Sequence, residues 1–230
     1  MTDIYIVRHG NTFDKGDVVT RVGARTDLPL SNSGQLQAEQ LGDHFDDMLS
    51  GGFSRVFCSP LLRTRQTANA ILVNVPTETG PETLEFLREV DYGPDENQPE
   101  DKVVARIGVA ALQAWDEAAI PPPGWNLDPD MVRAAWRTLF EELAAADLQQ
   151  PVLIVTSNGI ARFALDAVTL FETEPDSIKL KTGAYGHLVS APDGVMLKSQ
   201  AALFRTRRSG WSDAQRQVYA ALETRIGTSD

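Results

Sequence analysis

The feature that most constrains the fold is the unbroken apolar run Val152-Leu153-Ile154-Val155. A strand with apolar residues at every position has no face that suits water, so both faces must be covered. Such strands are typical of parallel sheets flanked by helices. The run therefore predicts an α/β fold, with a mostly parallel central sheet and helices on both faces.

The rest of the chain alternates between strand and helix patterns, as that fold requires. Strands are predicted at 4–7, 55–58, 185–190 and 195–200, with a less definite one between 77 and 87. Pro192-Asp193-Gly194 predicts a hairpin between the last two strands. Apolar residues spaced three and four apart predict helices at about 33–48, 60–72, 102–117, 128–143, 159–170 and 212–225.

One segment, 93–127, differs from this alternation. It opens with an acidic loop that holds Asp95, Glu96 and Glu100, and it contains the run Pro121-Pro122-Pro123-Gly124. We expect a single domain over residues 1–230, in which 93–127 is an insert or a lid over a pocket.

The net charge limits the kinds of molecule that the protein is expected to bind. The net charge of −11 argues against a nucleic-acid surface, since phosphate backbones are bound by an excess of Lys and Arg. The acidity is uneven, because residues 1–70 carry a net charge of −1 and residues 71–230 carry −10. An anion site is therefore expected in the first third of the chain.

The single cysteine, Cys58, cannot form an internal disulfide and leaves no cysteine cluster for a metal. The first residues show no basic leader followed by an apolar stretch, and no apolar run approaches the roughly 20 residues that span a bilayer. We therefore expect a cytoplasmic protein without membrane partners, cofactor or metal, and the sequence leaves its oligomeric state open.

Two polar clusters follow predicted strands, where ligands of open α/β sheets bind. The first is Arg8-His9-Gly10-Asn11-Thr12, in which an Arg and a His could hold a phosphoryl group against an imidazole. The second begins at Ser59-Pro60 and places Arg63 and Arg65 near a helix start, where guanidinium groups and backbone N–H groups bind phosphate.

Together these clusters resemble the histidine phosphatase superfamily, the phosphoglycerate-mutase-like family. The resemblance is carried by Arg8-His9-Gly10-Asn11-Thr12, by Asp27-Leu28-Pro29-Leu30-Ser31 with Gly34, and by Ser59-Pro60-Leu61-Leu62-Arg63 with Gln66-Thr67-Ala68. It continues at Leu87-Arg88-Glu89 and at 152–159.

The resemblance implies a fold, a reaction and a set of roles. The reaction is phosphoryl transfer from a small phosphorylated substrate through a phosphohistidine. His9 would be the nucleophile and Glu89 the acid that protonates the leaving group, while Arg8, Arg63 and Asn11 would bind the phosphate. A neutral imidazole is nucleophilic near pH 7 without a metal, and fixed guanidinium groups meet the charge of the transition state.

The chain departs from the family pattern at Asn158, where members carry a second histidine after the fourth strand. An Asn amide can still donate a hydrogen bond to phosphate, but it carries no positive charge. Candidates to compensate are Arg162 on the next helix turn and His187, which follows the loop at Thr182-Gly183. The third histidine, His44, lies at the edge of an apolar helix stripe and is expected to be structural.

Arg21 and Arg25 flank the loop before Asp27 and could extend the anion site toward the substrate body. The leading hypothesis is a metal-independent phosphomonoesterase. The alternatives are a weakly active or non-catalytic protein that binds phosphorylated ligands, or a mutase. A mutase is less favoured because residues 86–93 lack the Arg- and Asn-rich pattern that usually follows the mutase acid.

Overall fold

A computed structural model of the chain describes residues 1–172 and 178–200. The predicted helix at 212–225 lies outside these residues. Seven strands are described: β1 (Thr2–Arg8), β2 (Arg55–Cys58), β3 (Glu82–Thr83), β4 (Val152–Thr156), β5 (Leu170–Phe171), β6 (Tyr185–Ala191) and β7 (Gly194–Gln200). The α-helices within the described residues are α1 (Asn32–Met48), α2 (Leu62–Ile71), α3 (Glu100–Ile107), α4 (Val109–Ala118), α5 (Pro129–Ala145) and α6 (Asn158–Ala161).

The strands form one sheet in the order β3-β2-β4-β1-β6-β7-β5. β4 lies between β1 and β2 and pairs in parallel with both, and β3 pairs in parallel with β2. β6 runs antiparallel to β1 and forms the predicted hairpin with β7, which β5 joins in parallel. The predicted mostly parallel sheet is thus confirmed.

Side chains of the central strands alternate between two cores. Ile4 and Ile6 of β1 pack with Trp136 and Phe140 of α5 on one face. Tyr5 and Val7 point to the opposite face and pack against the other helices; the partners there are Leu41 and Phe45 of α1 and Ala68 and Ile71 of α2. Every residue of β4 is buried, as its apolar run requires.

Helix ends follow local capping chemistry. Ser31 caps α1 by accepting a hydrogen bond from the Gly34 N–H at 3.2 Å. Asp128 caps α5 by accepting from the N–H groups of Asp130 and Met131, with Pro129 at the first helical position as predicted.

Two predicted helices were wrong in extent. The helix at 102–117 is broken at Gly108, whose φ of +81° ends α3 and starts α4. The helix at 159–170 is a short α6 followed by a 3-10 segment, and Leu170–Phe171 instead forms β5 beside β7. No helix of the described part is long and apolar enough to cross a membrane.

The segment 93–127 is tied down by the buried carboxylate of Asp95. Asp95 accepts hydrogen bonds from the Arg106 guanidinium and, at 2.7 Å, from Nε1 of Trp125. Burial by itself would raise the pKa of Asp95, but these hydrogen bonds hold it below its ordinary value. The segment is therefore anchored by a charged network as well as by apolar residues such as Trp115 and Trp125, which belong to the same core as α5.

Candidate active site

A cavity of about 550 Å³ opens where β1 and β4 end. Arg8 and Thr156 are paired in register at those ends, and the His9 N–H donates to the Thr156 carbonyl at 3.1 Å. The carboxyl ends of neighbouring parallel strands therefore bring the residues after β1 and those after β4 to one place.

His9 lies in this cavity and is 6% exposed. Its Nδ1 is 2.7 Å from the Gly10 carbonyl oxygen, which can only accept, so Nδ1 carries the ring proton. Its Nε2 is 3.2 Å from Nε of Arg63, which can only donate. The lone pair of the imidazole is thus on Nε2.

The imidazole of His9 is kept neutral. Burial, followed by the positive charges of Arg63 and Arg8, lowers its pKa well below the ordinary value of 6.5. A neutral ring with its lone pair directed at a guanidinium is a nucleophile held beside an anion-binding group.

The loop after His9 is set by a close backbone approach. A Cβ on Gly10 would lie 2.9 Å from Cα of Gly34 at the start of α1, so no larger residue fits there without a shift. The Gly10 N–H donates to Oγ1 of Thr67 on α2. These contacts explain why the motif carries glycine next to its histidine.

Arg63 is fully buried, and backbone groups orient its guanidinium. Its two terminal nitrogens donate to the carbonyls of Thr26 and Gly23 at 3.1 and 3.3 Å. The Nε–H of Arg63 donates to His9 and not to the backbone, so it is the group that could donate to the oxygen of an incoming phosphate instead. Arg8 donates to the Leu180 carbonyl at 2.7 Å, and its buried Nε has no acceptor among the described residues.

Glu89 is 7% exposed and lines the same cavity. Oε1 accepts from the Val90 N–H at 2.9 Å and Oε2 from the Gly159 N–H at 3.3 Å. The two backbone donors fix the plane of the carboxyl group and leave each oxygen with further acceptor capacity.

Asn158 and Arg162 line the cavity on the side of β4. The Leu180 N–H donates to Oδ1 of Asn158 at 2.8 Å, which leaves Nδ2 as the donor for a ligand. The Arg162 guanidinium is buried 4.0 Å from the Trp115 ring and donates to the Trp115 carbonyl at 2.5 Å. Burial lowers the pKa of the Arg8 guanidinium, and the positive charges of Arg162 and Arg63 lower it further. Glu89 and Tyr92 act in the opposite direction and raise it.

Other predicted residues also line the cavity. Asn11 and Thr182 are among them, and the Asn11 amide donates to Oγ of Ser33 at 3.2 Å. Arg21 lines the cavity with its guanidinium over the rings of Tyr92 and Trp125, at 5.3 and 5.1 Å.

The structure places three predicted residues outside the cavity lining. Arg25 is more than half exposed and pairs with Asp91 at 2.9 Å. His187 stacks on the Tyr5 ring with 4.6 Å between ring centroids, and its Nε2 contacts Asp3 at 2.6 Å. Gly183, with φ of +67°, donates its N–H to the carbonyls of Arg8 and His9 and so supports the turn behind them.

His44 is also distant from the cavity. Its Nε2 lies 2.9 Å from the Tyr185 hydroxyl, and the two rings pack together. The structural role expected for His44 agrees with this placement.

Sequence reasoning missed several lining residues. They come from the loop before residue 93, from α3 and α4, and from the segment before β6: Tyr92, Glu100, Trp115, Asp116 and Lys179. The acidic character of 93–127 was the available signal, but a sequence does not show which way a segment faces. Residues 1–172 and 178–200 contain no group of three or more His, Cys, Asp or Glu placed to hold a metal ion.

The chain is similar to known proteins in both sequence and fold. The family model described as the histidine phosphatase superfamily (branch 1) matches residues 4–202. The chain is 33% identical over 150 residues to fructose-2,6-bisphosphatase TIGAR of Xenopus tropicalis, which covers 63% of this chain and 50% of that protein. The chain thus spans only half the length of this curated relative.

Two further comparisons cover more of each partner. The chain is 31% identical over 169 residues to a probable phosphoglycerate mutase GpmB of Proteus mirabilis, covering 70% of this chain and 71% of that protein. The solved structure of a mycobacterial glucosyl-3-phosphoglycerate phosphatase superposes with a TM-score of 0.68 at 21% identity, covering 87% of this chain and 99% of that one. At that identity the likeness concerns the fold.

Proposed function

The chain belongs to the histidine phosphatase superfamily, branch 1, and from that premise we propose that it is a metal-independent phosphomonoesterase that works through a phosphohistidine on His9. The observation that carries the proposal is the neutral His9 imidazole, whose Nε2 lone pair faces the buried Arg63 guanidinium. We call Arg8, His9, Arg63, Glu89, Asn158 and Arg162 the phosphate cradle.

In the first step, the Nε2 lone pair of His9 forms a bond to phosphorus and the bond from phosphorus to the ester oxygen breaks. Glu89, entering the step as the carboxylic acid, gives its proton to the departing alkoxide. Arg8 and Arg63 stabilise the charge on the equatorial oxygens, and the Gly10 carbonyl holds the Nδ1 proton as the ring becomes positively charged.

In the second step, water attacks the phosphorus of the phosphohistidine. Glu89, now the carboxylate, takes a proton from that water, and the bond between phosphorus and Nε2 breaks. Phosphate leaves, His9 returns to its neutral form and Glu89 is again protonated. The small phosphorylated substrate and water thus supply all the atoms of the products.

We assign Asn158 to the place where the family carries its second histidine. A charged hydrogen bond contributes roughly 1.5–3 kcal/mol and a neutral one about 0.5–1.5, so the exchange removes about 1–2 kcal/mol of transition-state stabilisation. That corresponds to a rate about 5–30-fold lower rather than to no rate. Arg162, buried near Arg8 and Asn158, supplies a positive charge on the same side.

A second candidate function is binding of a phosphorylated ligand without turnover. The observation that favours it is the Asn158 amide, which is fixed by the Leu180 N–H and adds no charge. A mutase remains the less favoured alternative, because residues 86–93 lack the Arg- and Asn-rich pattern that usually follows the mutase acid.

Hydrolysis of an aryl phosphate separates these functions. We expect His9→Ala to abolish turnover, Asn158→His to leave it unchanged or raise it, and Arg162→Met to lower it in the wild type more than in the Asn158→His background. Turnover that persists unchanged in His9→Ala would overturn the mechanism. Wild-type protein that binds vanadate but hydrolyses no member of a broad phosphoester panel would favour the binding function.

Turnover measured with and without a chelator tests the claim of metal independence. We expect the same rate after exhaustive treatment with EDTA. A loss of activity that returns on addition of a divalent cation would contradict that part of the proposal.

A further inference from the structure

The cavity extends well beyond the phosphate cradle. Its volume of about 550 Å³ is within the range used for small-molecule ligands and exceeds what a phosphate group needs. We call six of the lining residues outside the cradle, the charged and large aromatic ones that the argument uses, the outer wall: Arg21, Tyr92, Glu100, Trp115, Asp116 and Lys179.

Charges in the outer wall are matched in pairs. Arg21 contacts both carboxylate oxygens of Glu100, at 2.6 and 2.7 Å. Nζ of Lys179 lies 2.7 Å from the Asp116 carboxylate. Among the described lining residues, therefore, the outer wall offers as many carboxylates as cations.

The cradle, by contrast, has an excess of positive charge. It holds three guanidinium groups, those of Arg8, Arg63 and Arg162, against the single carboxyl group of Glu89. A phosphate ester carries a charge of about −1.5 to −2 at pH 7. With Glu89 ionised the excess is two charges, which one phosphate group matches. With Glu89 protonated, as in the first step of the mechanism, one positive charge remains, and it lies inside the cradle and not in the outer wall.

The Arg21–Glu100 pair is also held in position. The Arg21 guanidinium lies over the Tyr92 and Trp125 rings, and its side chain is 15% exposed. The backbone N–H of Arg21 donates a hydrogen bond at 2.9 Å to the carbonyl of Gln98, in the segment before α3. A second phosphate that approached Arg21 would therefore have to compete with the Glu100 carboxylate for this guanidinium group.

The same wall suits hydroxyl groups. A hydroxyl both donates and accepts a hydrogen bond, and an ion pair presents carboxylate acceptors beside ammonium or guanidinium donors. The rings of Tyr92 and Trp115 add apolar surface for C–H groups. Burial raises the pKa of the Tyr92 hydroxyl, so it stays neutral and can also donate.

We infer that the cavity is built for the monophosphate ester of a small polyhydroxylated molecule whose body is otherwise uncharged, and that Glu100 and Asp116 select against a second anionic group. The inference rests on the proposed function only in taking the cradle as the phosphate site. It names the class of substrate that this chain would hydrolyse.

Binding to the His9→Asn variant tests the inference without turnover. Calorimetry would compare two matched pairs: sorbitol 6-phosphate with 6-phosphogluconate, which differ in one terminal carboxylate, and fructose 6-phosphate with fructose 1,6-bisphosphate. We expect each uncharged-body ligand to bind about tenfold tighter than its partner, since an added anion meets carboxylates at short range. Equal or tighter binding of the partners, or no binding of either pair, would overturn the inference.

A matched substitution shows whether the outer wall causes the selectivity. Glu100→Gln in the His9→Asn background should reduce the affinity ratio within each ligand pair by about threefold or more, because it removes a negative charge that would repel the second anionic group. Asp101→Asn removes the same charge from the exposed neighbouring residue of α3, which does not line the cavity, and should leave the ratios unchanged. The same effect from both variants would contradict the assignment.

Turnover of an aryl phosphate by the wild type separates the two proposals. Selective binding without any turnover would refute the proposed phosphatase function and leave the ligand class in place. Turnover without selective binding would refute the ligand class alone.

Discussion

A substitution that moves Glu89 without replacing it tests the assigned general acid. A Cβ on Gly159 would lie 3.0 Å from Cδ of Glu89 and 2.9 Å from Cγ2 of Val90, with Oε1 of Glu89 closer still. Carbon atoms in contact stand about 3.5–4.0 Å apart, so Gly159→Ala must push the carboxyl group aside by roughly 0.5–1 Å. The backbone of Gly159 does not have a positive φ, so alanine introduces no backbone strain of its own.

The consequences differ for two kinds of substrate. Misplacing a catalytic group by about 1 Å can lower a rate by about 10²-fold. We expect that loss in kcat/KM, which reports formation of the phosphohistidine, for an alkyl phosphate, whose leaving alkoxide needs a proton. We expect a much smaller loss for an activated aryl phosphate, whose phenolate leaves without one. Overpacking should also lower the free energy of unfolding by about 1–3 kcal/mol.

The assay is the ratio of kcat/KM values for the two substrates, with urea unfolding as the measure of stability. Gly186→Ala is the control, because a Cβ there meets nothing closer than 3.8 Å. If Gly159→Ala hydrolyses alkyl phosphates within about threefold of wild type, Glu89 does not act as the acid from its present position. An equal loss on both substrates would point to general damage to the site.

Further predictions concern charge and burial. Arg63→Lys keeps the positive charge but loses the directed N–H groups, and kcat/KM should fall about 10²-fold; a fall below fivefold would show that the guanidinium geometry is unimportant. Folding lowers the pKa of His9, so as the pH falls the unfolded chain binds a proton at this residue before the folded chain does. The free energy of unfolding should therefore drop by up to about 1.4 kcal/mol per pH unit below pH 6.5. Urea titrations should show that His9→Gln reduces this slope, and an identical slope would contradict a neutral buried imidazole. Asp95→Ala leaves Arg106 and Trp125 without their carboxylate and should lower the free energy of unfolding by about 2–4 kcal/mol in the same assay, whereas a loss under about 1 kcal/mol would show that this network does not anchor residues 93–127.

Much of the fold could be predicted because its signals are local. The apolar run of β4 requires two covered faces, and the turn at Pro192–Gly194 specifies the hairpin of β6 and β7. The continuous helix at 102–117 failed because Gly108 adopts a positive φ that a pattern of apolar spacing does not reveal. The pairing of β5 with β7 is a long-range contact, so a helix pattern running through Leu170 was misleading.

One part of the candidate site could also be predicted from local sequence signals, and another part could not. The phosphate cradle follows from residues directly after strand ends and near a helix start, so motif and topology together placed His9 and Arg63 in one cavity. The outer wall depends on how α3 and α4 pack over that cavity, which is decided by contacts such as Asp95 with Arg106. No local sequence pattern shows that Glu100 lines the cavity or that His187 pairs with Asp3.

The most direct test of the central claim is to trap the phosphoenzyme. Wild-type protein would be mixed with a phosphorylated substrate, quenched rapidly in alkali, where phosphohistidine is preserved, and digested for mass spectrometry. We predict one phosphoryl group on the peptide that contains His9, at the imidazole, with its formation lost in His9→Asn. Steady turnover with no phosphohistidine, or with the phosphoryl group on another residue, would contradict the account.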